Sequence, residues 1–244
     1  MARVKSPIKQ PCSTNKLNID KTQRRVRSYV LRQGRLTSGQ AHALDNYWEK
    51  YGIDFSRTKL DLDACFGRCA PKILDIGVGM GDTSIALALA HPENDYLAVE
   101  VHQPGVGSLI RMAQAENINN LRVIYHDVIE TLTYQLPDAC LDQVYIFFPD
   151  PWPKKRHHKR RLISQDFLSM LIPKLKSHGR IFIATDWQDL AEHVLNVCDN
   201  HPTLINLAGN GKSSPRPNWR PLTKFEQRGK RLQHGVWDFI YALV

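Results

Sequence analysis

Cysteine is scarce in this chain of 244 residues, and the five present, Cys12, Cys65, Cys69, Cys140 and Cys198, are scattered and odd in number. That excludes a disulfide scaffold and fits the reduced thiols of an intracellular, cytoplasmic protein. Cys65 and Cys69 stand close together, but no second Cys/His pair lies at a partnering distance, so no metal is expected. Long apolar runs are missing as well. No uninterrupted one is longer than the six residues 85–90, against roughly 18 residues needed to cross a bilayer. A basic N-terminus with no apolar stretch behind it argues against a secretory signal. Internal repeats are absent. Hydrophobic residues make up 42%, enough to bury a core, and the length suits one α/β domain with appendages.

What the chain has in excess is positive charge, and it is unevenly spread. Residues 1–70 hold 14 basic and 6 acidic side chains, residues 71–150 hold 3 and 11, and residues 151–244 hold 16 and 7. An acidic centre between basic flanks suits a cationic or polar small ligand in the middle and a polyanion gripped from both sides.

Residues 1–30 are basic, carry Pro7 and Pro11, and read as a disordered arm. Residues 31–244 read as the domain. Apolar residues at Ala41, Leu44, Tyr47 and Trp48 predict a helix from Ser38 to about Lys50, with Ser38 as its N-cap. From Lys72 strands and helices alternate. Strands are predicted at 73–76, 96–101, 121–125, 143–148 and 180–184; helices at 82–90, 106–115, 165–175 and 187–197. That alternation implies a parallel sheet with helices on both faces. A last strand at 236–241 has no helix behind it and is expected to run antiparallel at or near an edge. The polar composition of the loop from Gly209 to Arg220 suggests that it is mobile until the polyanion binds.

In such sheets ligands bind at the carboxyl ends of the strands. Those ends carry Asp75, Glu100, Asp127, Asp150 and Asp186. One carboxylate could be a cap; five need a common reason. Asp75-Ile-Gly77-Val-Gly79-Met-Gly81 lies between a strand and a helix, where glycines permit positive φ and close approach of a ligand. A dinucleotide loop would need glycine where Asp82 stands, and that carboxylate would repel a pyrophosphate. No Gly-Lys-Ser/Thr follows either. Asp75 instead suits an amino group and a sulfonium, Glu100 a ribose diol and Asp127 an adenine amine. S-adenosyl-L-methionine has all these parts and a positive charge; NAD is the lesser alternative.

Phe147-Phe-Pro-Asp-Pro-Trp152 delivers Asp150 between two prolines that fix φ, beside an aromatic suited to stacking on a base. Six Lys/Arg follow within residues 154–161, interleaved with His157 and His158, and read as a phosphate-binding patch. Charge on that patch is the expected role of the two histidines. Trp187, Trp219 and Trp237 read as packing, and His102 and His126 as structural hydrogen-bonders.

The chain resembles the bacterial tRNA (guanine-N7-)-methyltransferases from about Arg32 to its C-terminus. The resemblance rests on Arg35-Leu-Thr-x-Gly-Gln40, Gly77-x-Gly-Met-Gly81, Glu100-Val-His102, Phe148-Pro-Asp-Pro-Trp152 with its basic tail, Ala184-Thr-Asp-Trp187 and Arg220-Pro-x-Thr-Lys-Phe-Glu-Gln-Arg228. It implies a Rossmann-like class I S-adenosylmethionine-dependent methyltransferase fold, α/β, with a mostly parallel seven-stranded sheet. It also implies methyl transfer to N7 of guanine 46 in the variable loop of tRNA. Carried over by motif, Asp75, Gly77, Gly79, Glu100, Asp127 and Asp150 contact the cofactor, and Asp150 is also catalytic. Lys154, Asp186, Thr223, Lys224, Phe225 and Glu226 contact the substrate, and Arg156, His157, His158, Lys159, Arg160 and Arg161 the RNA. The position of Asp75 usually carries Glu in that family. Asp150, Asp186 or Glu226 could hold the donor edge of the guanine. Two other readings compete: methylation of an exocyclic base amine in RNA, and a non-catalytic RNA-binding protein on the same fold. A monomer or a homodimer fits equally.

Overall fold

Runs rich in Ile, Val, Leu and aromatics, closed by Gly, Asp or Pro, become strands, as their side chains favour a pleated and buried surface. The computed structural model describes residues 26–30, 34–223, 226 and 235–244. Residues 1–25 of the expected arm lie outside these described residues. The strands are β1 (Lys72–Ile76), β2 (Asp95–Glu100), β3 (Leu121–Tyr125), β4 (Leu141–Phe147), β5 (Leu175–Thr185), β6 (Leu204–Asn206) and β7 (Trp237–Leu243). The α-helices are α1 (Ser38–Tyr51), α2 (Leu62–Phe66), α3 (Asp82–Ala90), α4 (Gln103–Ala115), α5 (Val128–Glu130), α6 (Gln165–Leu171) and α7 (Gln188–Cys198).

The seven strands form one sheet in the order β3-β2-β1-β4-β5-β7-β6. The first five in that order pair in parallel, which needs a long crossover between neighbours and explains the intervening helices. β7 inserts antiparallel between β5 and β6. Successive side chains of a strand point to opposite faces, and here both faces are covered. Ala43 of α1, Leu87 of α3 and Leu109 and Ile110 of α4 pack with Ile73, Tyr96 and Val123 on one face. Phe167 and Leu171 of α6 and Leu190 and Val194 of α7 pack with Leu74, Leu97, Val144 and Ile181 on the other.

Several boundaries differ from the sequence expectation. The N-cap of α1 is Thr37, not Ser38. Its hydroxyl accepts from the Gln40 N–H at 3.3 Å, and the Gln40 side chain accepts from the Thr37 N–H at 2.9 Å, a reciprocal box worth about 1 kcal/mol. α6 ends at Leu171, where a 3-10 turn through Pro173 takes over. β5 then starts five residues before Arg180, because Leu175 pairs with Leu141. β6, three residues long, carried too little pattern to be seen. Within residues 26–30, assigned by composition to a disordered arm, Ser28 and Tyr29 meet the domain: the Ser28 carbonyl accepts from Trp152 Nε1 at 3.0 Å.

Candidate active site

The parallel strands all end on one side of the sheet. The chain steps outward one way through β1, β2 and β3 and the other way through β4 and β5, and ligands bind in the crevice at such a reversal. Across that edge stand Asp127, Glu100, Asp75, Asp150 and Asp186, in that spatial order. At about 4.8 Å per strand the row spans on the order of 19 Å, the length of an extended nucleoside with a side chain.

Asp75 is buried at the end of β1, where the Ser84 hydroxyl donates to it at 2.6 Å. Burial pushes its carboxyl up to about 6; the Ser84 hydrogen bond opposes the rise and the charge of Glu100 adds to it. Gly77 and Gly79 turn the chain with φ of +74° and +58°, and a Cβ at either would meet nothing within 4 Å. Backbone conformation therefore demands glycine there, and the floor above the loop is open. At Gly105 the reason is contact instead, since a Cβ would collide with the Gly79 carbonyl oxygen. Glu100 accepts from the N–H groups of Gly79 at 2.8 Å, Val101 at 2.7 Å and His102 at 2.8 Å, which fixes its orientation. Asp127 caps α5 through the Ile129 N–H at 2.9 Å. The Tyr29 phenol lies close to Asp127; burial first, then that carboxylate, push its ionisation up. An open glycine floor bordered by these three carboxylates fits S-adenosylmethionine, which offers an ammonium, a ribose diol and an adenine amine.

Beyond β4 the chain turns sharply. Phe148 has φ +53° and Trp152 φ +48°, a left-handed conformation that costs a bulky residue about 1–3 kcal/mol. Between them Asp150 is exposed. The Trp152 ring is covered by the Arg160 guanidinium at 4.7 Å and met edge-on by His157 at 5.8 Å.

The basic stretch following it forms a 3-10 helix over Lys155–Arg160. Lys154, Lys155, Arg156 and Lys159 are exposed. Two expectations need correction. Arg161 is not available to RNA: its side chain is 2% exposed and engages the Asp189 carboxylate and the Pro151 carbonyl. Its two nearer acceptors came from α7 and the loop, neither visible in a basic run. His157 adds less charge than expected, because desolvation and the cations Arg156 and Arg160 push its imidazole below its usual value.

Asp186 lines a cleft of about 540 Å³ together with Trp187, Gln188, Asp189, Glu192, Gly235 and Trp237. Trp187 is 38% exposed and walls this cleft, so the packing role expected of it does not hold. Trp219 does pack, stacked on Tyr145 at 5.1 Å, and His126 is structural, bonded to Glu130 at 2.6 Å and stacked on Phe55. Thr223 accepts from the Glu226 N–H at 3.1 Å. Glu226 is 1% exposed, paired with Arg220 at 2.8 Å and Arg216 at 3.1 Å. Lys224 and Phe225 lie outside the described residues. The 209–220 loop is fastened at its end by the fully buried Arg220, and at Ser214 by a bridge to Asp238. Among the described residues no group of three or more His, Cys, Asp or Glu could hold a metal, and no helix is long and apolar enough to cross a membrane.

A family model described as a putative methyltransferase matches residues 69–239. A tRNA (guanine-N(7)-)-methyltransferase of Nitrosospira multiformis is 54% identical over 218 residues, which cover 89% of this chain and 94% of that protein. The chain belongs to the tRNA (guanine-N(7)-)-methyltransferase family. A relative of the same name from Edwardsiella ictaluri is 51% identical over 221 residues, 91% of this chain and 93% of its own. The fold is also that of solved methyltransferases. The 16S rRNA methyltransferase KamB superposes with a TM-score of 0.56 at 13% identity, over 76% of this chain and 94% of that one. For the aminoglycoside resistance methyltransferase NpmB1 the TM-score is 0.51 at 14% identity, over 78% and 95%.

The docked segment gives a first prediction for this family member. Deleting residues 1–30 should lower turnover roughly five- to tenfold below deletion of residues 1–25, because Trp152 loses its acceptor. Equal rates for the two deletions would make the Ser28 contact incidental.

Proposed function

We propose that this chain methylates N7 of guanine 46 in the variable loop of tRNA, acting in the cytoplasm as a monomer or homodimer, with Asp150 as the catalytic carboxylate. The observation that carries the reading is the row of strand-end carboxylates over an open glycine floor, with exposed Asp150 between two prolines and exposed cations directly behind it. When bound, S-adenosylmethionine supplies a methyl group activated on a sulfonium. Asp75 suits the amino group of that donor, Glu100 its ribose and Asp127 its adenine, while Gly77 and Gly79 let it lie against the backbone.

Guanine N7 has an in-plane lone pair and no proton to lose at neutral pH. No side chain is needed as a base before attack, so the work of the protein is alignment and a carboxylate near the ring that gains positive charge. Asp150 has that place. The N1–H and N2–H₂ edge offers two donors to one carboxylate. Burial of Glu226 against Arg220 and Arg216 favours Asp186 for this task, in the cleft between Trp187 and Trp237. An adenine would set an acceptor against that carboxylate and be rejected. Lys154, Thr223, Lys224 and Phe225 complete the substrate contacts, and Lys155, Arg156, Lys159 and Arg160 follow the phosphates.

Asp75 supplies a pH test. In the free protein its carboxyl ionises at about 6, and an ammonium binds only the ionised form. Affinity for S-adenosylmethionine should be full above that value and fall by up to about tenfold per pH unit below it. Calorimetric titration across this range should show the slope, and Asp75→Asn should bind weakly and without it. A flat profile for the unaltered protein would remove Asp75 from the amino group. Transfer of label to an unmodified tRNA transcript, mapped to one nucleotide, tests the reaction itself.

A further inference from the structure

We infer that two buried arginines, Arg161 and Arg220, are positioning residues that hold the 148–152 loop in the conformation that aims Asp150. The inference rests on Asp150 being the catalytic carboxylate. Its starting point is the backbone. Pro149 and Pro151 have no N–H to donate, and the residues on either side of the Pro-Asp-Pro unit both have positive φ, +53° at Phe148 and +48° at Trp152. Bulky side chains persist in that region only where their surroundings over-determine them. One backbone bond helps, from the Phe148 N–H to the Ala184 carbonyl at 2.8 Å.

The arginines supply further anchors, one on each flank. Arg161 donates from Nε to the Pro151 carbonyl at 3.1 Å, while its other nitrogens bind the Asp189 carbonyl at 3.3 Å and the Asp189 carboxylate. It thereby ties the loop to the first turn of α7. Arg220 places its guanidinium 5.6 Å from the Phe148 ring and 5.8 Å from the Phe147 ring. The same group forks onto Asp238 of β7 at 2.8 and 3.0 Å and gives a third bond to Glu226 at 2.8 Å. A planar fork that binds two ways and also stacks is something lysine does not offer. Neither arginine can reach a phosphate, since both side chains are at most 2% exposed. Their reach is into the loop. A misplacement of about 1 Å in a reacting group can cost on the order of 10²-fold in rate, so the clamp acts on kcat.

The test compares Phe148→Gly, Arg161→Lys and Arg220→Lys with the unaltered protein, with Asp150→Ala in parallel. Glycine adopts positive φ without strain and removes the ring that Arg220 covers. The expected result for Phe148→Gly is an unchanged or raised Tm with kcat at least tenfold lower, while KM and Kd for tRNA and for S-adenosylmethionine stay within about threefold. The lysine variants should show the same split per folded molecule. Should one of them fail to fold, Phe148→Gly decides. An unchanged kcat in Phe148→Gly would overturn the inference and leave the arginines as stabilising groups only. A lysine variant that folds and keeps its kcat would overturn the assignment of that arginine. Full turnover by Asp150→Ala would show instead that the reading of Asp150 is wrong, and the inference would fall with it.

Discussion

Asp150→Ala should lower methyl transfer by at least 10²–10³-fold, the order expected when one preorganised electrostatic group is removed, while tRNA affinity stays within a few fold. The split follows from where the side chain stands. Asp150 is exposed at the tip of a stiff loop between Pro149 and Pro151, and in the proposed reading it faces the base rather than the phosphates. Affinity for tRNA comes mainly from cations on the polyanion, and removing a carboxylate takes none of those away. Asp150→Asn keeps the shape without the charge and should recover little of the rate. Single-turnover transfer and filter binding on the same preparations measure both quantities. Loss of binding in parallel with activity would move Asp150 out of catalysis and into substrate recognition.

The second large effect concerns salt. Replacing Lys155, Arg156 and Lys159 together with alanine should reduce the slope of log affinity against log salt by about 2 to 3, since each phosphate contact contributes roughly 0.7–0.9. Binding at physiological ionic strength should weaken correspondingly. Arg161→Met belongs in the same series as its contrast. It removes one charge of the same kind from the same run of sequence, yet its side chain is buried against Asp189 and Pro151. It should leave the slope unchanged and lower the Tm, because two backbone carbonyls lose a buried donor. A slope that falls with Arg161 by roughly 0.7–0.9, the share of one phosphate contact, would return that residue to the RNA interface.

That contrast also marks how far the sequence could be read. The strand ends were legible because continuous apolar runs closed by Gly, Asp or Pro leave little choice of element. Five such runs in parallel bring Asp75, Glu100, Asp127, Asp150 and Asp186 to one edge by topology alone. The antiparallel last strand was legible as an apolar run set off by a polar loop from the regular strand–helix alternation. Burial within a charged run was not. Arg160 and Arg161 are neighbours of one type, and only Asp189, 28 residues away, decides which of them turns inward. Glu226 is a similar case, since its partners Arg216 and Arg220 lie on a loop whose polar composition suggests exposure. Trp187 went the other way, out of the core and into a cleft that exists only once β7 brings Trp237 beside it. Of the arm, Ser28 and Tyr29 had no pattern to betray their docking, because the Ser28 contact is a main-chain carbonyl meeting an indole 124 residues distant.

The central claim is the reaction at guanine N7, and one experiment addresses atom and position together. Purified protein is incubated with unmodified tRNA transcripts and methyl-labelled S-adenosylmethionine, and the RNA is then reduced with borohydride and cleaved under basic conditions. N7-methylguanosine opens and breaks the chain under this treatment. The account predicts incorporation of label and strand scission at a single site, guanine 46 of the variable loop. Label without scission would contradict it and point to another atom, such as an exocyclic amine. Scission elsewhere would leave the chemistry standing and overturn the site.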